Sequence, residues 1–144
     1  MKTLSVIKNN PLPSNDDIVA FEKLRDIKMP WDYKYYLVTQ NLFLSKDCLY
    51  RGKEEYKIHH FHPFDVTADI SLQVFFDILK DFLENSFIPF AGDSGGWQFV
   101  ISLRKKDYGK VYFCRMDEEL EDALTLLADS FEEFIDGLES APTE

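Results

Sequence analysis

Hydrophobic residues recur at helical spacing near the start of the chain, after a lead-in that contains two prolines. Ser14 and Asp17 have the spacing of a capping box, with aspartate in place of the usual glutamate or glutamine. Because an amphipathic helix turns an apolar residue inward every three or four positions, this start predicts a helix over residues 15–26. Its inner face is predicted to carry Ile18, Phe21 and Leu24.

A second helix is predicted to begin at Pro30, because proline suits the first turn of a helix. The aromatic cluster at residues 31–36 is interpreted as core packing, with one ring left for a partner. The inner face of this helix is predicted to hold Tyr33, Tyr36, Leu37 and Gln40.

The middle of the chain is predicted to form a strand and then the clearest helix. Residues 44–64 alternate loosely between polar and apolar, which is typical of a strand. One side of that strand is predicted to carry Tyr56, Ile58, His60 and His62. Ser71 then precedes a broad apolar stripe at helical spacing. That stripe is predicted to consist of Val74, Phe75, Ile78, Leu79, Phe82 and Leu83.

A β-hairpin is predicted over residues 97–114. Its first strand alternates over residues 97–103, and its second covers residues 111–114. The polar connection contains Gly109, which can supply a left-handed backbone position. One face of the first strand is predicted to carry Trp97, Phe99, Ile101 and Leu103.

The end of the chain is predicted to be helical in two segments. Ser130 with Glu133, or Asp129 with Glu132, would cap the second segment. An unbroken helix from Glu118 would align the acidic side chains in one stripe, but these capping signals argue against it. The inner face of the last helix is predicted to be Phe131, Phe134, Ile135 and Leu138.

The composition indicates one folded domain over residues 1–144, because 45% hydrophobic residues suffice for a core. With 26 acidic and 16 basic residues the formal charge is −10, which argues against binding nucleic acid or an anionic membrane by bulk charge. No run has the apolar length of a membrane span, and the N-terminus lacks the apolar core of a signal peptide. We therefore expect a cytoplasmic protein.

The excess negative charge is confined to the last fifth of the chain. Residues 1–115 hold 16 basic and 15 acidic side chains, a balance of +1, whereas residues 116–144 hold eleven acidic and no basic ones, a balance of −11. A block this one-sided is either a solvated helix face or a surface that meets a basic partner.

The three histidines lie within four residues and are the first candidates for a metal site. On a strand, His60 and His62 would point the same way and could bind a metal together with Asp65. A zinc site needs at least three well-placed ligands, and no glutamate general base follows at a fixed spacing. Exposed imidazoles on a sheet face are therefore the preferred interpretation, and no metal is predicted. Cys48 and Cys114 have neither a metal-binding spacing nor a neighbouring base.

The glycine-rich segment after residue 91 is the second candidate for chemistry. It matches neither a nucleophile elbow nor a phosphate-binding loop, and it leads into a strand rather than a helix. A tight structural turn is predicted instead, with glycines at positive φ and an aspartate that accepts from nearby backbone N–H groups. The residues of this turn are Gly92, Asp93, Gly95 and Gly96. Since no catalytic constellation emerges, the chain is predicted not to be an enzyme and to need no cofactor.

Four segments, in order along the chain, carry a family resemblance. They are PWDYKYYL at residues 30–37, IPFAGDSGG at 88–96, DYGKVYF at 107–113 and ADSFEEFI at 128–135. Together they resemble the motifs of the SUKH superfamily, which includes the yeast Smi–Knr cell-wall-assembly regulators and many bacterial immunity proteins. The chain departs from the family pattern at residues 40–42, where Asn-Gly-Gly is common, and at Trp97, where a polar residue is usual.

The resemblance implies an α+β fold, in which a central, largely antiparallel sheet is flanked by helices in a single compact SUKH-like domain. The motif-supported core of that domain would cover residues 15–138. It also implies a non-catalytic immunity protein that binds and neutralises a cognate bacterial toxin, often a nuclease. The alternative is an intracellular regulatory or scaffold protein of the Smi–Knr type that binds a cellular enzyme.

A nuclease toxin carries a basic cleft for phosphates, and an acidic face would complement it. We therefore expect the partner-binding surface to lie in the acidic C-terminal part, without direct contact to nucleic acid or membrane. Its predicted residues are Asp117, Glu118, Glu119, Glu121, Asp122, Glu132, Glu133 and Asp136.

Overall fold

The computed structural model describes residues 1–45, 48–65, 67 and 70–140, and describes residues 6–9, 45 and 140 through their backbone alone. The helices are α1 (Asn15–Arg25), α2 (Trp31–Thr39), α3 (Leu72–Leu79), α4 (Leu120–Ala123) and α5 (Phe131–Asp136). The strands are β1 (Val6–Asn9), β2 (Leu42–Ser45), β3 (Cys48–Arg51), β4 (Glu55–Ile58), β5 (His60–Phe61), β6 (Phe87–Gly92), β7 (Gln98–Ser102), β8 (Val111–Cys114), β9 (Leu124–Ala128) and β10 (Leu138–Ser140). Within these ranges no helix is both long and apolar enough to cross a bilayer.

Antiparallel pairing organises the strands into three sheets. The largest has the order β5-β6-β7-β8-β9, the second has the order β10-β3-β4, and β1 pairs with β2. Helix α3 packs on β6, α2 packs against α5, and α4 lies beside β8. The predicted α+β fold, with an antiparallel central sheet flanked by helices, is confirmed.

The central strands β6 and β7 are buried along their whole length. Phe99 and Ile101 face the main core, which also contacts Trp97 and Leu103, as the alternation predicted. The opposite face of β7 is covered as well, because Val100 belongs to a second, smaller core. The predicted hairpin is confirmed as β7 and β8.

Helix α1 begins at the predicted capping box. The Ser14 hydroxyl oxygen accepts from the Asp17 N–H at 3.1 Å, and an Asp17 carboxylate oxygen accepts from the Ser14 N–H at 3.0 Å. The prediction that Leu24 is buried is wrong, because its side chain is 80% exposed. Leu24 follows Ile18 by six residues and therefore lies about 120° around the helix from it. Glu22 takes the inner position instead.

Helix α2 follows Pro30, which is its N-cap residue. Its inner face is buried as predicted at Tyr33, Tyr36 and Leu37. Gln40 is the C-cap residue and is only half-buried.

The prediction of a single strand over residues 44–64 is wrong, because the described residues of this range contribute to four strands, β2 to β5. Residues 46 and 47 of the predicted strand lie outside the described residues. Tyr56 and Ile58 do share one buried face of β4, as their alternation predicted.

Helix α3 begins where predicted, because the Ser71 hydroxyl accepts from the Val74 N–H at 3.2 Å. Its buried stripe was predicted in the wrong register. Leu72 and Phe76 are buried, whereas Ile78 is 69% exposed. The difference arises from tertiary packing, because α3 packs on β6. The helix also ends at Leu79, so the rest of the predicted stripe lies in the following turn, where only part of it is buried.

The C-terminal region is helical only at α4 and α5, and the prediction fails for the segment between them. Strand β9 lies there because it pairs with β8 at the edge of the large sheet. Helix α5 starts at the predicted cap, where the Ser130 hydroxyl accepts from the Glu133 N–H at 3.0 Å. Its predicted inner face is buried at Phe131, Phe134 and Ile135, and Leu138 is buried in β10.

A buried carboxylate of α2 also holds the start of α5. Asp32 is 5% exposed; one of its oxygens accepts from the Glu132 N–H at 3.0 Å and the other from its neighbour Tyr33 N–H at 2.9 Å. The first N–H groups of a helix have no partner within the helix, so this contact across 100 positions of sequence satisfies one of them.

We expect Asp32→Ala to lower the free energy of unfolding by about 1–3 kcal/mol, because it leaves the partly buried N–H of Glu132 in α5 and the buried N–H of Tyr33 without their acceptor. Urea unfolding measures the loss. Asp16→Ala is the control, since Asp16 lies exposed in the first turn of α1. Equal losses in the two variants would contradict the long-range capping role of Asp32.

Candidate functional site: the acidic segment and the family motifs

The carboxylates predicted to bind a partner fall into two groups, one on each side of β9. The first, here called the acidic segment, covers residues 117–122 in and before α4. The second lies in α5 and contains Glu132, Glu133 and Asp136. Five residues of extended strand span roughly 17 Å, so the eight side chains do not form one stripe.

The acidic segment is exposed at all five of its carboxylates. Two of them are held by guanidinium groups: Glu118 by Arg115 at 2.7 Å and Glu121 by Arg104 at 3.0 Å. Five carboxylates against two guanidinium groups leave a local formal charge of −3. The other three, which form no ion pair with any described residue, are Asp117, Glu119 and Asp122.

The α5 group is less available, because the N-terminal residues lie on it. Glu132 is 3.5 Å from the N-terminal ammonium, and Asp136 accepts from the Lys2 N–H at 2.5 Å. Glu133 is exposed. The acidic segment therefore offers the stronger field to a partner.

The guanidinium of Arg104 is anchored by a buried carboxylate that the sequence analysis did not single out. Asp107 is 8% exposed and accepts from the Ser102 hydroxyl at 2.5 Å, the Tyr112 hydroxyl at 2.6 Å and the Arg104 guanidinium. Burial alone would raise the pKa of Asp107, but these hydrogen bonds hold it well below its usual range. An ionised and fully engaged carboxylate positions Arg104 and is not suited to proton transfer.

The glycine-rich segment forms the turn between β6 and β7. One carboxylate oxygen of Asp93 accepts from the N–H groups of Gly95 and Trp97, both at 2.9 Å. Gly96 has a φ of +91°, a conformation that residues with a Cβ rarely adopt. Gly92 belongs to β6 and has a different constraint, since a Cβ there would lie 3.3 Å from the His60 ring.

The histidines are not a row of exposed imidazoles, and that prediction is wrong for His62. Its ring is 1% exposed and stacks on Phe75 at a centroid distance of 3.8 Å. Within the described part of the chain, no three histidine, cysteine or acidic side chains are arranged to hold a metal ion. Asp65 instead accepts from the Thr67 N–H at 2.9 Å.

The hydrogen bonds around His62 fix its protonation. The Gln98 amide donates to the Gly96 carbonyl at 3.0 Å, so its oxygen faces the His62 Nε2 at 2.8 Å, and that nitrogen carries the proton. The His62 Nδ1 is buried and has no hydrogen-bond partner among the described residues. The pKa of His62 is lowered to about 4, mainly by burial; the hydrogen bond to Gln98 raises it and nearby His60 lowers it. The imidazole is therefore neutral at pH 7.

The chain was compared with protein-family models and with curated proteins. The model described as the SMI1 / KNR4 family (SUKH-1) matches residues 12–137. The chain belongs to this family. No curated protein gives a significant match.

The family match includes the acidic segment and all four motifs, and the motifs occupy α2, β6 with its turn, β8 and α5. Tyr33, Phe90 and Phe131 of these motifs lie in the core and are all at most 1% exposed. Trp31 is 72% exposed and Tyr35 is 48% exposed, so the prediction that the aromatic cluster packs in the core is wrong for these two rings. The motif residues of this SMI1 / KNR4 member therefore specify its fold, and the acidic segment lies outside them.

Gly96→Val is expected to destabilise the protein by about 1–3 kcal/mol, because valine must adopt the left-handed backbone of this turn. Thermal unfolding measures the loss, and partner binding should persist below the lowered melting temperature. Gly95→Ala is the control, since a Cβ there meets only the Asp93 carboxylate at an ordinary 3.5 Å. A variant with an unchanged melting temperature that no longer bound its partner would contradict a structural role for Gly96.

Stability is expected to fall as the pH drops from about 6.5 towards 4, because His62 takes up a proton in the unfolded chain before it does so in the folded one. For His62 the loss between pH 7 and pH 5 should be about 2 kcal/mol. Urea unfolding at both pH values should show this loss in the wild type and not in His62→Gln. The control is His59→Gln, an exposed position, which should keep most of the loss of stability between pH 7 and pH 5. An equal pH dependence of stability in the wild type and in His62→Gln would contradict the role assigned to His62.

Proposed function

We propose that this SMI1 / KNR4 member is a non-catalytic immunity protein that binds a cognate bacterial toxin in the cytoplasm of the producing cell and blocks its activity. The observation that carries the proposal is the acidic segment, which combines five exposed carboxylates with a local formal charge of −3. A toxin with a basic cleft, such as a nuclease, has the complementary charge.

Electrostatics favours this partner class through the rate of association. Complementary fields over a surface steer a partner to its site and raise association rates by about 10- to 1,000-fold at low ionic strength. An immunity protein benefits because it must bind its toxin before the toxin meets its substrate.

The chemistry of the titratable side chains supports binding rather than catalysis. His62 is neutral and buried, and burial raises the pKa of the Cys114 thiol to about 11, so this thiol is not ionised near pH 7. Asp107 is ionised and engaged on both oxygens. None of the three has the environment of a general base or an activated nucleophile.

The decisive functional experiment is co-expression of this protein with the product of its neighbouring gene, with cell survival as the readout. Rescue from an otherwise lethal domain, together with a stoichiometric complex of the two purified proteins, is the expected result. Recovery of a housekeeping enzyme from native cells, without a toxin and without rescue, would contradict the proposal and favour a Smi–Knr-type regulator.

Charge reversal tests the acidic segment itself. Asp117→Lys/Glu119→Lys should slow association with the toxin by about tenfold at low ionic strength and flatten its salt dependence. These two residues are suitable because neither is held in an ion pair with a described residue. Asp81→Lys/Glu84→Lys changes the net charge equally at exposed sites after α3 and is the control. Equal association rates and salt slopes for the two double variants, measured by stopped flow, would exclude the acidic segment as the steering surface.

A further inference from the structure

A cleft of about 240 Å³ lies between the turn of the β3–β4 hairpin and the face of strands β8 and β9. Its apolar walls are the rings of Tyr56, Trp97 and Phe113. The Phe113 ring centroid is 5.0 Å from that of Tyr56 and 5.9 Å from that of Trp97, so the three rings form one continuous surface. Tyr56 and Phe113 are more than nine-tenths buried, and Trp97 is half-buried.

The size of the cleft indicates what it can hold. Pockets for metabolites and cofactors have volumes of about 300–1,000 Å³, and this cleft is smaller. Its charged lining residues, Lys53, Glu54 and Arg115, are exposed or half-exposed, whereas the rings of Tyr56 and Phe113 are buried. A single large apolar side chain matches this volume and this lining, because aromatic rings pack edge-to-face on one another with favourable energy.

Arg115 joins the cleft to the acidic segment. Its side chain lines the cleft, and its guanidinium bonds the Glu118 carboxylate at 2.7 Å and the Asp122 carbonyl at 3.0 Å. The aromatic cleft and the acidic segment are therefore parts of one surface, joined at Arg115. A buried aromatic anchor surrounded by charged residues is the typical arrangement of a binding hot spot.

We propose that this cleft receives one aromatic side chain of a basic protein partner, while lysine or arginine residues next to that side chain contact the acidic segment. The proposal rests on the proposed function only for the charge of the partner. It adds an anchor point to the long-range attraction, and it places that anchor at Trp97.

Defined peptides test the cleft without the toxin. The chain has two tryptophans, so the Trp31→Ala variant leaves Trp97 as the single tryptophan, whose fluorescence is excited selectively at the red edge of the absorption band. The probe is a capped pentapeptide of phenylalanine flanked by two lysines on each side, and we expect a saturable change in Trp97 fluorescence with a Kd in the millimolar range. Replacing the phenylalanine of the peptide by alanine should weaken binding about tenfold or more, and replacing its lysines by glutamates should weaken it as well.

Two neighbouring positions of β9 provide matched protein variants. Thr125 lines the cleft, whereas Leu126 is 50% exposed and points to the other face of the strand. In the Trp31→Ala background, Thr125→Arg should abolish the response and Leu126→Arg should retain it, although both add the same charge. Trp97→Ser, followed by NMR amide shifts, is a second variant that should lose binding of the phenylalanine peptide.

Three outcomes would overturn the proposal: equal binding of the alanine or the glutamate peptide, retained binding in Thr125→Arg, or no saturable response to the phenylalanine peptide. Binding of capped phenylalanine alone as tightly as the pentapeptide would also overturn it, because the cleft would then be a small-molecule site. Toxin rescue that is lost in Asp117→Lys/Glu119→Lys but kept in Thr125→Arg would leave the proposed function standing and reject the cleft as its anchor.

Discussion

The packing of Phe131 is the contact on which the rest of the structure depends. Its ring centroid lies 5.1 Å from those of Tyr33, Tyr36 and Phe90, so one side chain of α5 joins α2 to the central strand β6. The buried Asp32 reinforces the same junction by accepting from the second residue of α5. Since Phe131 is fully buried, this aromatic cluster holds together elements that are about 100 residues apart in sequence.

This junction also explains why four short motifs identify the family. Three of them supply the rings of the cluster. The fourth lies beside the start of the first motif, because the Tyr108 hydroxyl donates to the Lys28 carbonyl at 2.6 Å. The motifs therefore supply much of the packing at this junction. The acidic segment and Trp97 lie outside the four motifs.

Two arginine side chains, Arg104 and Arg115, hold part of the acidic segment to the large sheet. Arg104 is clamped by the buried Asp107 and reaches Glu121, while Arg115 at the end of β8 reaches Glu118. Exposed ion pairs of this kind contribute little to stability, about 0–1 kcal/mol each. Their effect is on orientation, because they hold the carboxylates of Glu118 and Glu121 at defined positions on the surface.

The amino-acid sequence by itself determined the features that depend on neighbouring residues. The helix starts at Ser14, Ser71 and Ser130, the Asp93 turn and the β7–β8 hairpin were all visible, because each uses hydrogen bonds or alternation over a few positions. The resemblance of the four motifs predicted the family and the central antiparallel sheet, which the local patterns alone did not predict.

Only the tertiary structure decided which side of each element faces the core. Ile78 is exposed and His62 is buried because β6 and its neighbouring elements, distant in sequence, select the inner positions. Residues 124–128 form a strand because β8 offers an open edge for pairing, and a short apolar run fits either a helix or a strand until such an edge is present. The cleft beside the acidic segment has the same origin, since its walls come from β4, β8, β9 and the turn before β7, which only the folded sheets bring together.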